Sequence, residues 1–451
     1  MTQVIAIDTT SLGDRSYLVG DGSVAFVVDP QRDVDRVLDL AARHGLRITD
    51  VFETHIHNDY LTGGLALARL TGAAYHVNAA DPVSFDRTPI HDGGIVEVGD
   101  QMRVRALATP GHTFTHLSYV LETPDRAPMV FTGGSLLFGS TGRPDLLGPS
   151  HTDRLARAQY ASAHLLADVL PDDAEVFPTH GFGSFCAVTQ SAADRSTIGA
   201  EKRTNPVLTS DEKSYVDALL AGLDVFPAYY AHMGPANTAG PAAVDLTEPR
   251  AAEPAELRAR IDAGEWVVDL RSRTAFAAGH LVGSLNFGLD GSFATYLGWL
   301  IPWGTPVSLL GDSAAQVTKA QRELVRIGIE RVESAATGTP EEWSGPAPLG
   351  TLPRASFADL AAVRHHRPVA ILDVRRNLEW AGEHVNGAVH VPLHDLLHRL
   401  DAVPRGEVWV HCQSGYRASI AASVLAANGR RVVVIDDEFD QAARAGLPMV
   451  A

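Results

Sequence analysis

A chain of 451 residues exceeds what one ordinary hydrophobic core organises, so two to four domains are expected. Its 54 acidic residues against 37 basic ones give a net charge of −17, which argues against nucleic-acid binding and supplies no polybasic membrane patch. No apolar run is long enough to span a membrane, the N-terminus lacks a basic start followed by an apolar stretch, and two cysteines, Cys186 and Cys412, make no disulfide framework; a reducing cytoplasm is the expected setting.

From the N-terminus, short β runs alternate with helical runs. Ser16–Val19 and Val24–Val28 flank Gly20-Asp21-Gly22, a hairpin signal. Val34 to His44 reads as an amphipathic helix, and Val51–Thr54 as a strand ending at His55. A helix is expected from Leu61 to Leu70. A second β block covers Ile95 to Ala108, Leu117 to Leu121 and Met129 to Thr132; a helix, Thr152 to Leu170, and a strand ending at His180 follow. Two β blocks, each followed by helices, predict two sheets sandwiched between helices.

Histidines gather at these strand ends. His55, His57 and Asp59 fall within five residues, close enough for both imidazoles to reach one ion from a turn. His112 follows a strand in Thr109-Pro110-Gly111-His112, and His180 follows another. Histidine at strand-end turns, with Asp nearby, is the composition of a Zn or Fe site.

The motifs THIHNDY, TPGH and FPTHG, in that order, resemble the metallo-β-lactamase superfamily over residues 1 to about 200. THIHNDYLTGG followed by GRPDLLG is similar to the branch holding persulfide dioxygenases and glyoxalase II-type thioesterases. The resemblance implies an αββα sandwich with its metal on the sheet edge. Two departures stand out: Tyr60 replaces the last His of the HxHxDH pattern, and Gly134 stands where a metal-binding Asp is expected. A binuclear site is therefore not expected. One ion at most, Fe(II) or Zn(II), held by His55, His57 and His112 with Asp59 or water, is one reading; an empty site kept for substrate binding or assembly is the other. The GRPDL match implies that Arg143 binds a substrate carboxylate, with a structural salt bridge to an acid as the alternative. Cys186 reads as packed, and Tyr229 to Pro235 as an interdomain segment.

Pro/Gly/Ala-rich stretches at Ala239–Ala243 and Glu248–Pro254 mark a linker. Beyond it the sequence repeats. Asp269-Leu270-Arg271 parallels Asp373-Val374-Arg375, and Gly279-His280 parallels Glu383-His384, at a constant offset of 104 residues. Two tandem doubly wound parallel α/β domains are expected.

In the second repeat, the apolar run Val408–Val410 leads into His411-Cys412-Gln413-Ser414-Gly415-Tyr416-Arg417, and a helical run leads out. Inward-pointing amides, a helix N-terminus and Arg417 all favour a thiolate at Cys412. CQSGYRA resembles the active-site loop of rhodanese-type sulfurtransferases, whose six-residue cradle corresponds to Cys412–Arg417. The resemblance implies that Cys412 accepts a sulfane sulfur as a persulfide. Arg417 and the loop amides would stabilise it, and Gln413, Ser414, Gly415 and Tyr416 would line the substrate. In the first repeat, Leu309-Leu310-Gly311-Asp312-Ser313 falls at this place with neither Cys nor Arg.

The expected organisation is a metallo-β-lactamase-like domain over residues 1–240, a rhodanese-like domain lacking the cysteine over 250–345, and a rhodanese domain over 350–451. This order is similar to fused persulfide dioxygenase–rhodanese proteins of bacterial sulfide metabolism. It implies a sulfurtransferase acting on small thiols or persulfides and on thiosulfate or sulfite, with persulfide dioxygenase activity in the first domain and a homo-oligomeric state. A metal-dependent thioesterase and a non-catalytic sulfur-carrier scaffold remain open.

Overall fold

The computed structural model describes residues 2–124, 126–189 and 193–450. Two compact units divide the chain: Met1–Asp245 with Val325–Gly328, and Leu246–Leu324 with Ile329–Ala451.

The first unit holds two six-stranded sheets. One runs Gln3–Thr9, Asp14–Gly20, Val24–Val28, Arg47–Phe52, Ala74–Asn78, Thr88–Ile90 in spatial order; the other runs Ser196–Thr197, Glu175–Pro178, Arg126–Gly133, Leu117–Thr123, Met102–Ala108, Ile95–Val98. Strand Val24–Val28 shows why its apolar run is unbroken. Val24, Phe26 and Val28 point into the core between the sheets, while Ala25 and Val27 pack under the outer helices. Phe26 meets Phe131 of the opposite sheet edge-on at 5.8 Å between centroids. Helices Asp35–Arg43 and Gly64–Thr71 cover one face; Thr152–Val169 and Glu212–Ala221 cover the other. This is the αββα sandwich that the β-block pattern predicts.

The second helix begins at Gly64, not at Leu61. Thr62 bridges to Gln31, and its hydroxyl accepts the Gly64 amide at 2.9 Å, so Leu61–Gly63 stay in the loop. The segment read as interdomain is a helix, Tyr230–Ala239, of the first unit. Its Asn237 amide donates to the carbonyls of His57 and Tyr60 at 2.8 Å each and accepts the Thr62 amide at 2.9 Å, bracing the histidine loop from behind.

The second unit holds two parallel sheets. In the first repeat the order is Leu285–Asn286, Trp266–Asp269, Val307–Gly311, Val332–Thr337; in the second it is Arg354–Ala355, Arg431–Ile435, Glu407–His411, Ala370–Asp373, Val389–His390. The repeated Asp-x-Arg forms the same brace twice. Arg271 pairs with Asp269 at 2.6 Å and caps the Gly279 carbonyl at 2.8 Å; Arg375 pairs with Asp373 and caps the Glu383 carbonyl, both at 2.7 Å. No helix among the described residues is long and apolar enough to cross a membrane.

Candidate metal centre and sulfur-transfer loop

Four strand ends of the sandwich converge on one place, three of them carrying histidines. Arg47–Phe52 leads to His55, Met102–Ala108 to His112, Arg126–Gly133 to Gly134, and Glu175–Pro178 to His180. Ligand-capable atoms of His55, His112 and His180 lie within 4.8 Å of one another, and so do those of His57, Asp59 and His180. All five side chains are at most 2% exposed.

Hydrogen bonds fix which ring nitrogen faces inward. Thr54 Oγ1 donates to Asp29 Oδ2 at 2.7 Å, so it accepts His55 Nδ1–H at 2.9 Å and leaves His55 Nε2 with its lone pair. His112 Nδ1 donates to the Arg143 carbonyl at 2.8 Å, and its Nε2 has no hydrogen-bond partner. His180 Nδ1 faces Asp14 at 2.8 Å and Asp59 at 3.2 Å, with its Nε2 3.4 Å from that of His55. His57 Nε2 faces Glu53 at 3.2 Å, Asp29 at 3.3 Å and the Tyr60 hydroxyl at 3.0 Å, while its buried Nδ1 is unpartnered, as is Asp59 Oδ1. Outer oxygens holding one ring nitrogen while the other stays open is the arrangement that orients histidine toward a metal. His112 Nε2 and Asp59 Oδ1, buried and without hydrogen-bond partners, each belong to a group of side chains close enough to share an ion, and His180 is common to both groups.

The charges agree. Burial, then the neighbouring imidazoles, push His55 well below its ordinary value, and burial with His180 takes His112 down to about 3, so both rings are neutral. Burial opposes charge on His57 and His180 too, but Asp29 and Glu53 lift the first to about 9, and Asp59 with Asp14 lift the second to about 10.

The structure brings the expected His55, His57, His112 and Asp59 together and adds His180 to them. Asp29 and His116 had no sequence motif to announce them. Asp29, in a left-handed backbone conformation at φ +50°, accepts from the Thr54 amide and hydroxyl and from the Thr179 hydroxyl, stapling the His55 and His180 loops together. His116 accepts the Gly134 amide at 3.0 Å and stacks on His55.

Three residues read differently in place. A Cβ on Gly134 would lie 2.3 Å from His112 Cδ2, so the space of the missing carboxylate is filled by the His112 ring. Tyr60 is fully buried and its hydroxyl is engaged by His57 and the Asp29 carbonyl. Of the two readings of Arg143, its contacts match the structural salt bridge: its Nε and Nη2 pair with Asp145 at 2.7 and 2.8 Å, and the Phe185 and Asp224 carbonyls take further donors. Only 4% exposed, Arg143 is a brace whose own carbonyl orients His112.

In the second unit, Cys412–Gly415 joins strand Glu407–His411 to helix Tyr416–Ala427. Gly415 turns left-handed at φ +93° and donates its amide to Cys412 Sγ at 3.2 Å. The Gln413 carbonyl accepts the Phe439 amide at 2.8 Å; Gln413 and Ser414 are half-buried at the turn, and Cys412 is 2% exposed, out of bulk water. The Tyr416 side chain, expected to line a substrate, is engaged by the first repeat. Its hydroxyl donates to the Gly288 carbonyl at 2.7 Å and its ring sits where a Cβ on Gly291 would be. Arg417 does not touch the sulfur either: both Nη groups grip Glu379 at 2.6 and 2.7 Å, so its charge reaches Cys412 through space.

Burial alone would push the Glu379 carboxyl up, but Arg417 and then Arg376 hold it down at about 2. A depressed pKa stabilises the fold above the unfolded carboxyl value and loses that stabilisation as pH falls through the folded value. Glu379→Gln is therefore expected to lower urea stability at neutral pH, with the gap to wild type narrowing below about pH 4.5 and closing near pH 2. A gap independent of pH would contradict the pairing.

In the first repeat only Asp312 and Ser313 separate strand Val307–Gly311 from helix Ala314–Arg326, two residues where the second repeat has four. Both the sulfur and the turn that would hold it are missing.

A histidine-ringed αββα sandwich ahead of two parallel α/β repeats defines the class. The metallo-β-lactamase superfamily model matches residues 13–180 and the rhodanese-like domain model matches residues 253–343 and 356–445; the chain belongs to the metallo-β-lactamase superfamily and carries two rhodanese-like domains. It is 30% identical over 205 residues to the protein named "Persulfide dioxygenase ETHE1, mitochondrial" of Homo sapiens, covering 45% of this chain and 74% of that protein. It is 31% identical over 172 residues to the hydroxyacylglutathione hydrolase of Polaromonas sp., covering 37% of this chain and 62% of that one. Among solved structures, the metallo-β-lactamase of Staphylococcus aureus subsp. aureus COL superposes with a TM-score of 0.66 at 27% identity, covering 75% of this chain and 98% of that chain.

Proposed function

We propose that this chain is a sulfane-sulfur transferase whose carrier is Cys412. The Gly415 amide pointing at Cys412 Sγ from a glycine turn at a helix mouth carries this reading. With thiosulfate as donor, the Cys412 thiolate attacks the outer sulfur. The Sγ–S bond forms, the S–S bond of thiosulfate breaks, and its electron pair leaves with sulfite; the persulfide anion keeps the charge the thiolate had. The Gly415 amide and the helix N-terminus stabilise that charge, and a small thiol or sulfite then accepts the sulfur.

The sandwich would hold one ion, Fe(II) or Zn(II), at His55, His112 and His180 or at His57, Asp59 and His180. Iron would supply dioxygen activation for oxidising a thiol persulfide; zinc would supply Lewis acidity. Asp29 and Asp14 hold the imidazoles in place for either. Gly134 and Tyr60 weigh against a binuclear hydrolase, because neither offers the ligands of a second ion. The test is mass spectrometry of the full chain after thiosulfate treatment. The Cys412 peptide is expected to gain about 32 Da, reversed by a thiol. An unmodified peptide would end the sulfur-transfer reading, and elemental analysis finding no metal would end the reading of the sandwich.

A further inference from the structure

The first repeat has lost its thiol but keeps hold of the second repeat's reactive loop. Three contacts follow one face of helix Tyr416–Ala427. The Tyr416 hydroxyl donates to the Gly288 carbonyl, Ser419 Oγ donates to Asn286 Oδ1 at 2.7 Å, and Ser423 Oγ accepts the Asn286 amide at 3.0 Å. Positions 416, 419 and 423 share a face at helical spacing, so the first repeat aligns the helix whose N-terminus meets Cys412.

A fourth contact reaches the turn itself. Arg273, first residue of helix Arg273–Ala278, donates Nε to Asp436 Oδ1 at 2.7 Å. Asp436 also accepts Arg354 Nε at 2.9 Å, and Asp290 lies 3.9 Å from an Arg273 Nη, so two guanidinium groups and two carboxylates meet here. A Cβ on Gly415 would lie 2.3 Å from Asp436 Oδ1 and 3.1 Å from Arg273 Nε. The ion pair therefore rests directly against the glycine whose amide points at the sulfur. Arg273 feels Asp436 first and, further off, Asp290 and the Cys412 thiolate, each holding its guanidinium above the ordinary value.

We propose that the cysteine-less repeat is a working part of the sulfur-transfer site, with Arg273 as a positioning residue. Seated on Asp436, it keeps the Gly415 turn closed on Cys412 and holds a guanidinium beside the loop, whose charge favours anionic sulfur donors over neutral ones. This rests on Cys412 being the sulfur carrier. It assigns the duplication a purpose that the loss of the first thiol would otherwise leave unexplained.

The field is read with two alkylating probes of nearly one shape, neutral iodoacetamide and anionic iodoacetate. In both, the Cys412 Sγ–C bond forms and iodide leaves. Peptide mass separates Cys412 from Cys186, which is 0% exposed and whose thiol burial pushes up. In the full chain, Arg273→Gln is expected to lower the iodoacetate-to-iodoacetamide rate ratio at Cys412 by about 3- to 10-fold, the effect of one unit charge at short range. Arg273→Lys is expected to keep most of the ratio. In sulfur transfer, Arg273→Gln should raise the KM for thiosulfate by a similar factor with a smaller change in kcat. A ratio and a KM unchanged in Arg273→Gln overturn the proposal. If Arg273→Gln lowers the melting temperature, Arg273→Lys decides, and loss of the ratio there also overturns it. Failure of the wild-type chain to load sulfur from thiosulfate would instead remove the carrier reading, and alkylation would still report on Arg273.

Discussion

Cys412→Ser is expected to slow sulfur transfer from thiosulfate to a thiol by at least about 10³-fold, since removing a nucleophile removes the covalent route and not one contact among many. A serine hydroxyl is neither ionised near neutral pH nor able to carry a sulfane sulfur. The exchange is close to isosteric, and the Gly415 amide keeps an acceptor in place of Sγ. The Arg417–Glu379 pair is untouched. Unfolding stability should therefore stay within about 1 kcal/mol of wild type. The assay is steady-state transfer with thermal unfolding as control. Transfer retained in the folded variant would place the chemistry elsewhere in the chain.

Gly134→Ala should damage both the packing of the sandwich and its metal site. The new Cβ would lie 2.3 Å from His112 Cδ2 and 2.7 Å from Cγ. The ring cannot retreat, because a second glycine, Gly142, backs it so closely that a Cβ there would lie 2.8 Å from Nδ1, and Nδ1 is tied to the Arg143 carbonyl. Overpacking of this kind costs about 1–3 kcal/mol in the metal-free protein. Displacing one imidazole from a shared ligand set should weaken metal binding by about 10- to 100-fold. Urea unfolding and metal titration measure the two effects. Unchanged stability and affinity would mean that His112 sits elsewhere when the site is loaded.

The αββα layering and the parallel repeats were legible because their signals are local. Strands such as Val24–Val28 are apolar on both faces, and Asp269/Asp373 recur at one offset. The ligand candidates were legible for a similar reason: each sits at a strand end in a short motif. Other features depend on partners far away in sequence. Asp29 stands 25 residues before Thr54 and 150 before Thr179, in no motif. For Arg143 the sequence left substrate binding and a salt bridge both open, because the carbonyls of Phe185 and Asp224, which take its other donors, lie beyond any local window. Tyr416 looked like part of a substrate pocket because the loop's neighbour, Gly288, comes from the other repeat. Gly134 was readable as a lost carboxylate, but not as a gap that His112 fills.

The short connection at Asp312–Ser313 bears on engineering. Planting a cysteine there would give a thiol at a strand end without the turn that directs an amide to it, so a point replacement could not create a second carrier. Two inserted residues, one of them a left-handed glycine, would be needed first, and they would have to fit without loosening the grip of Arg273 on its neighbour.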